Sequence, residues 1–124
     1  MNNNNLKHEI MWWMSRLTIM LTSLFLSFTL ASSAYAAEVT MGSNGNLVFE
    51  PSELTINAGE TVTFTNGALP PHNMVVEDHP ELSHGDLAFA VGDSFDVTFP
   101  ESGDYNFQCD PHAGAGMKGV IHVK

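Results

Sequence analysis

The strongest constraint on how this chain folds is a strict two-residue alternation of apolar and polar side chains. Thr61-Val62-Thr63-Phe64-Thr65 sets Val62 and Phe64 on one side. Ser94 to Phe99 repeats the pattern, with Phe95, Val97 and Phe99 inward and Asp96 outward. Tyr105 to Cys109 places Tyr105, Phe107 and Cys109 on one face and Gln108 on the other. Successive side chains of a strand point to opposite faces, so this period suits half-buried antiparallel strands. Shorter strands are expected at Glu38–Met41, Leu47–Phe49, Leu54–Asn57, Asn73–Glu77 and Val120–Val123. Turn sequences punctuate them: Ser43-Asn44-Gly45-Asn46, Ala58-Gly59-Glu60, Asn66-Gly67, Val91-Gly92-Asp93 and Glu101-Ser102-Gly103-Asp104. Pro80–Ala88 breaks the pattern and reads as a helical turn opened by Pro80-Glu81 and closed by Asp86-Leu87. The expectation is an all-β sandwich or barrel of about eight strands with one short helical turn.

The first 36 residues read differently. Lys7 and Arg16 give a weakly positive start, Leu17 to Leu30 is uncharged and mostly apolar, and Ala34-Tyr35-Ala36 has the small-residue form of a cleavage site. That is the plan of a secretory signal peptide, residues 1–36, cleaved after Ala36 to leave one domain of residues 37–124. A membrane anchor ranks behind it, because the apolar run is shorter than the roughly 20 residues a bilayer requires. Met11 and Met14 are alternative starts. After Ala36 the chain keeps two basic and thirteen acidic residues, a formal charge of −11. Such a charge excludes nucleic acid and anionic lipid surfaces as partners, favours solubility and suits a basic partner. One cysteine cannot form an internal disulfide, so Cys109 is free, intermolecular or a ligand.

Cys109 opens the segment Cys109-Asp110-Pro111-His112-Ala113-Gly114-Ala115-Gly116-Met117. A thiolate, an imidazole and a thioether on one short loop form a soft donor set. Copper that alternates between Cu(I) and Cu(II) suits it, with Cys and two His in a trigonal plane and a distant axial Met. The second His is expected to be His72, which follows Pro70-Pro71 and opens Asn73-Met74-Val75-Val76. Taken singly, each residue has a plainer role: buried core for Cys109 and Met117, a turn for Gly114 and Gly116, surface for His72. The combination favours copper at His72, Cys109, His112 and Met117. Zinc is poorer because Met is a weak zinc ligand, and a Cys–His nucleophile lacks an orienting carboxylate and oxyanion donors. His79, His84 and His122 are not expected to bind metal, and His79 and His84 are expected at the surface. Asn73 is placed to tie the two ligand segments together.

These residues resemble the plastocyanins, small blue-copper carriers of the cupredoxin group, and within them the cyanobacterial type. The resemblance spans Glu38 to Lys124. It rests on Leu47-Val48-Phe49-Glu50-Pro51-Ser52, Pro71-His72-Asn73-Met74-Val75, Asp86-Leu87-Ala88-Phe89, Gly92-Asp93-Ser94-Phe95 and, above all, the loop from Cys109 to Met117. Pseudoazurins share the loop spacing but carry helices after it. The resemblance implies an eight-stranded Greek-key sandwich and one type 1 copper held by His72 Nδ1, Cys109 S, His112 Nδ1 and, weakly, Met117 S. It implies an apolar partner surface around His112, formed by Gly45, Leu47, Leu69, Pro70, Pro71, Leu87, Gly114 and Ala115. The implied protein is no enzyme but a monomeric one-electron carrier in the thylakoid lumen. It would pass electrons from cytochrome f to photosystem I, with no stable membrane insertion after cleavage. Another exported blue-copper carrier serving respiration, or a copper-holding protein, is the alternative. Three departures stand out: Gln108 where the family often has Tyr, an acidic patch reduced to Glu77 and Asp78, and Ala113 where cyanobacterial members often carry Arg.

Overall fold

The computed structural model describes residues 6–12, 14, 36–68 and 70–124. The chain divides into two units, Met1–Ala34 and Tyr35–Lys124. In the first, residues 6–12 are helical. No helix among the described residues is long and apolar enough to cross a membrane. The apolar run Leu17–Leu30, most of the expected cleavage site and Leu69 lie outside the described residues.

Among the described residues, the second unit has nine strands. They are β1 (Ala37–Met41), β2 (Phe49–Glu50), β3 (Glu53–Ile56), β4 (Thr61–Asn66), β5 (His72–Val76), β6 (His84–Ala88), β7 (Ser94–Thr98), β8 (Gly103–Gln108) and β9 (Lys118–Val123). Two sheets form, one in the order β2-β1-β4-β7 and one in the order β3-β9-β8-β5-β6. Alternation drives the arrangement. In β4, Val62 and Phe64 are fully buried while Thr61, Thr63 and Thr65 are not; in β8, Tyr105 and Phe107 are buried, Asp104 and Asn106 are exposed and Gln108 is half-buried. The inward faces meet in one core, in which Phe107 lies edge-on to Phe49 at 4.7 Å and to Phe64 at 5.6 Å. Gly119 makes this possible: it faces Phe107 across the β8–β9 ladder, and a Cβ there would run into the Phe107 ring and the Ser52 carbonyl.

The architecture is the expected Greek-key sandwich, with three local differences. First, the sheets are mixed, because β1 pairs parallel with β4 and β3 pairs parallel with β9. The chain passes into the second sheet for β3 and returns for β4, so β4 runs alongside β1 in the same direction. Second, the segment read as one helical turn holds a short 3-10 turn, Pro80–Leu82, followed by the strand β6. β6 lies at a sheet edge and meets β5 at only two register pairs, His72↔Ala88 and Met74↔His84. Only its Ala88 is buried, so burial imposes no alternation on its sequence. Third, Ser43–Gly45 and Asp110–Ala115 form two further 3-10 segments.

Candidate metal centre

β5 and β8 run antiparallel, with Val75 opposite Gln108 and Val76 opposite Phe107. The start of β5 therefore lies against the segment that follows β8. His72 begins β5, and Cys109 follows β8 directly. The loop after Cys109 turns back in a 3-10 segment with Pro111 in its first turn and ends at Gly116, whose φ of 85° is left-handed. It is closed at its base: the Cys109 N–H donates to the Met117 carbonyl at 3.0 Å and the Met117 N–H to the His112 carbonyl at 3.2 Å. The His112 N–H donates to the Cys109 carbonyl at 3.1 Å. Each ligand candidate on the loop is thus pinned through its own backbone.

Three donor atoms converge. His72 Nδ1 lies 3.1 Å from His112 Nδ1 and 3.7 Å from Cys109 Sγ, and His112 Nδ1 lies 3.3 Å from Cys109 Sγ. This is the one group of three His, Cys, Asp or Glu residues among those described that could hold a metal ion. A metal with bonds of about 2.0–2.3 Å to nitrogen and sulfur spans edges of this length. Cys109, His72 and Met117 are fully buried, whereas His112 is half-buried. Burial, more than the facing His112, lowers the His72 pKa, so its ring is held neutral with a lone pair for a metal. Burial raises the Cys109 thiol pKa, partly offset by the peptide N–H groups of Asn73 and His112. A bound cation is what would draw off that proton.

The supports of the site are as informative as its donors. Asn73 is 3% exposed. Its Oδ1 accepts from the Asp110 N–H at 2.9 Å and its Nδ2 donates to the Gly85 carbonyl at 2.9 Å. One side chain therefore joins β5, β6 and the metal loop. Behind His72 stands Gly42, buried, with φ of 75°. A Cβ there would run into His72 Nε2, so the imidazole is seated against bare backbone. A backbone hydrogen bond at Ala68 works against the burial that lowers the ring's pKa. With Nδ1 turned toward the two other donors, the donor set fits a soft metal and leaves the outer nitrogen walled in.

The comparisons with known proteins bear on which metal. The description of copper binding proteins of the plastocyanin/azurin family matches residues 36–124. The chain belongs to that family. Copper is accordingly its metal, in keeping with the donor chemistry. The chain is similar to the chloroplastic plastocyanin of Oryza sativa subsp. indica, 44% identical over 106 residues, which cover 78% of this chain and 69% of the relative. Plastocyanin A/B of Petroselinum crispum is 44% identical over 96 residues, covering 70% of this chain and 99% of the relative. The oxidized form of plastocyanin from Dryopteris crassirhizoma has a similar fold, with a TM-score of 0.66 at 33% identity, covering 71% of this chain and 100% of that one.

The residues read as a partner surface are mostly accessible. Pro70, Gly45, Gly114 and Ala115 are exposed, Leu87 is 37% exposed, and Leu47, Pro71 and His112 are half-buried. Of the other histidines, His79 and His122 carry acidic partners, Glu81 at 2.9 Å and Asp104 at 2.7 Å. His79 and His84, expected at the surface, are both half-buried, and the His84 ring stacks on Phe95 at 3.9 Å and 7°. Gly42 and its contact with His72 escaped the sequence reading, because nothing local to Gly42 signals a partner thirty residues away.

Proposed function

We propose that this protein is a one-electron carrier whose copper is held by His72 Nδ1, Cys109 Sγ and His112 Nδ1, with Met117 as the weak fourth ligand. Membership of a copper-binding family supports the carrier reading. The observation that carries the ligand assignment is the triangle of two Nδ1 atoms and one Sγ with edges of 3.1, 3.3 and 3.7 Å. Copper bound there supplies a couple that gains or loses one electron. The chain's own part is to hold the donors still. Asn73 fixes the loop to β5 and β6, Gly42 blocks movement of the His72 ring, and the loop's closing hydrogen bonds restrain Cys109, His112 and Met117. Donors that cannot move make the reorganisation on electron transfer small. Cys109 and Met117 are sealed from water, so His112 is the one ligand with a path to the surface. The rim around it is apolar, which allows a partner close approach without stripping charged groups of water.

For the finer reading, we infer transfer from cytochrome f to photosystem I in the thylakoid lumen. Chloroplastic plastocyanins among the relatives support it. Residues 1–36 would serve as the export signal and 37–124 as the mature domain. The test is to mix the copper-loaded domain with the lumenal domain of cytochrome f and, separately, with photosystem I particles, following absorbance by stopped flow and after flashes. Second-order transfer with both, slowing as salt rises, is expected from a formal charge of −11 after Ala36. Transfer with neither, but with a respiratory oxidase, would give the role to a respiratory carrier. Copper binding without transfer to any of them would leave a copper-holding protein.

A further inference from the structure

Cys109 is flanked by two polar side chains that take no part in the donor set, Gln108 and Asp110. Gln108 ends β8 and is half-buried, while Asp110 opens the 3-10 segment of the metal loop and is exposed. The two meet past the cysteine, with Gln108 Nε2 donating to Asp110 Oδ1 at 3.4 Å. The Asp110 backbone is fixed as well, its N–H donating to Asn73 Oδ1 at 2.9 Å. A carboxylate next in the chain to the buried thiol is therefore tethered through both its backbone and its side chain.

Its charge is not neutralised. Among the described residues the ion pairs are His79 with Glu81 and His122 with Asp104, and none includes Asp110. Lys118 stands opposite Gln108 in the β8–β9 ladder without pairing to it. The charge is also felt at the sulfur. Burial raises the Cys109 thiol pKa, the N–H groups of Asn73 and His112 lower it, and the Asp110 carboxylate raises it again. An anion beside the thiolate disfavours further negative charge and favours positive charge. With the same ligands, the site is one unit more positive with Cu(II) than with Cu(I), so a nearby carboxylate stabilises the oxidised form.

We propose that Asp110, positioned by Gln108, lowers the reduction potential of the metal centre. This rests on the copper assignment above. A lower potential weakens the pull on a donor's electron and strengthens the push toward an acceptor, so the pair restricts loading to stronger reductants. To test it, the copper-loaded domain is equilibrated in a fixed ferricyanide–ferrocyanide buffer at low salt, and the ratio of Cu(I) to Cu(II) is read from the blue band. Asp110→Asn keeps the side-chain shape and the backbone N–H. It should raise the ratio about threefold while leaving the position of the band unchanged. Because the carboxylate is exposed, the difference should shrink as salt rises. Asp110→Glu restores the charge and should return most of the parent ratio. Gln108→Leu frees the carboxylate and should fall between the parent and Asp110→Asn. In the metal-free domain, Asp110→Asn should shift the 15N resonance of the Gln108 side-chain amide.

An unchanged or lowered ratio in Asp110→Asn overturns the proposal. So does a raised ratio that salt does not diminish, or that Asp110→Glu fails to restore, because either marks a change of loop shape and not of charge. A Gln108→Leu ratio equal to the parent's removes Gln108 as the positioning residue. A parent without a blue band overturns the copper assignment itself, whereas a normal band with an unmoved ratio leaves that assignment standing and removes only the role of Asp110.

Discussion

Replacing Asn73 by Ala removes two hydrogen bonds of 2.9 Å from a side chain that is 3% exposed. Each such bond contributes about 1 kcal/mol net, so their loss costs about 2 kcal/mol. The Asp110 N–H sits in a partly buried bond beside Cys109. If water fails to reach it, leaving that donor unpaired adds a further ~1–2 kcal/mol. At about 4–8 °C per kcal/mol for a domain of this size, the metal-free Asn73→Ala protein should melt at least ~8 °C below the parent. Thermal unfolding by circular dichroism measures the total. Amide hydrogen exchange in the metal-free domain measures the particular bond: Asp110 should lose its protection, while the Val120 amide, bonded to the Ser52 carbonyl at 2.9 Å, keeps its own. The copper-loaded variant should also release copper to a chelator faster, since the loop is no longer held to β5. A drop below about 3 °C with Asp110 still protected would refute the idea that this side chain unites the two ligand segments.

Gly42→Ala should cost about 2–4 kcal/mol in urea unfolding, from a left-handed backbone and an overpacked contact with His72. It should also alter the visible spectrum of the copper protein; an unchanged stability and spectrum would remove Gly42 as the wall behind the ligand. In the metal-free protein His72 is held neutral by burial, with its pKa below the usual 6.5. The unfolded chain takes up a proton there that the folded one refuses, so metal-free stability should fall as pH drops below about 6.5; His72→Gln should flatten that dependence in urea titrations. Glu60 behaves in the opposite pH range. The Asn57 N–H and side chain hold its carboxylate below the ordinary value, so its contribution is present above pH 4.5 and is lost as pH falls through the lowered pKa. Glu60→Gln should therefore lower the urea midpoint at pH 6, and the difference from the parent should shrink as pH falls below 4.5.

The long strands were legible from their residues because burial acts on them directly. Phe64, Phe107 and Val97 face a common core, so alternation at β4, β7 and β8 is enforced. β6 was not legible: an edge strand with one buried residue leaves no period to read. The parallel pairings of β1 with β4 and of β3 with β9 were hidden for another reason, since strand direction depends on where the chain crosses between sheets. The donors could be proposed from sequence because Cys, His and Met in one loop have few other joint uses. Their supports could be read only in part. Asn73 adjoins His72 and drew notice, but Gly42 acquires meaning only from a contact set by the fold.

The central claim is that Cys109 Sγ, His72 Nδ1 and His112 Nδ1 together hold copper. The most direct measurement is the visible absorption of the purified domain as one equivalent of Cu(II) is added, for the parent and for Cys109→Ser. An intense blue band from a copper–thiolate bond that saturates at one equivalent, and is absent in Cys109→Ser, is the predicted result. A colourless or pale parent, or a band that survives in Cys109→Ser, would contradict it.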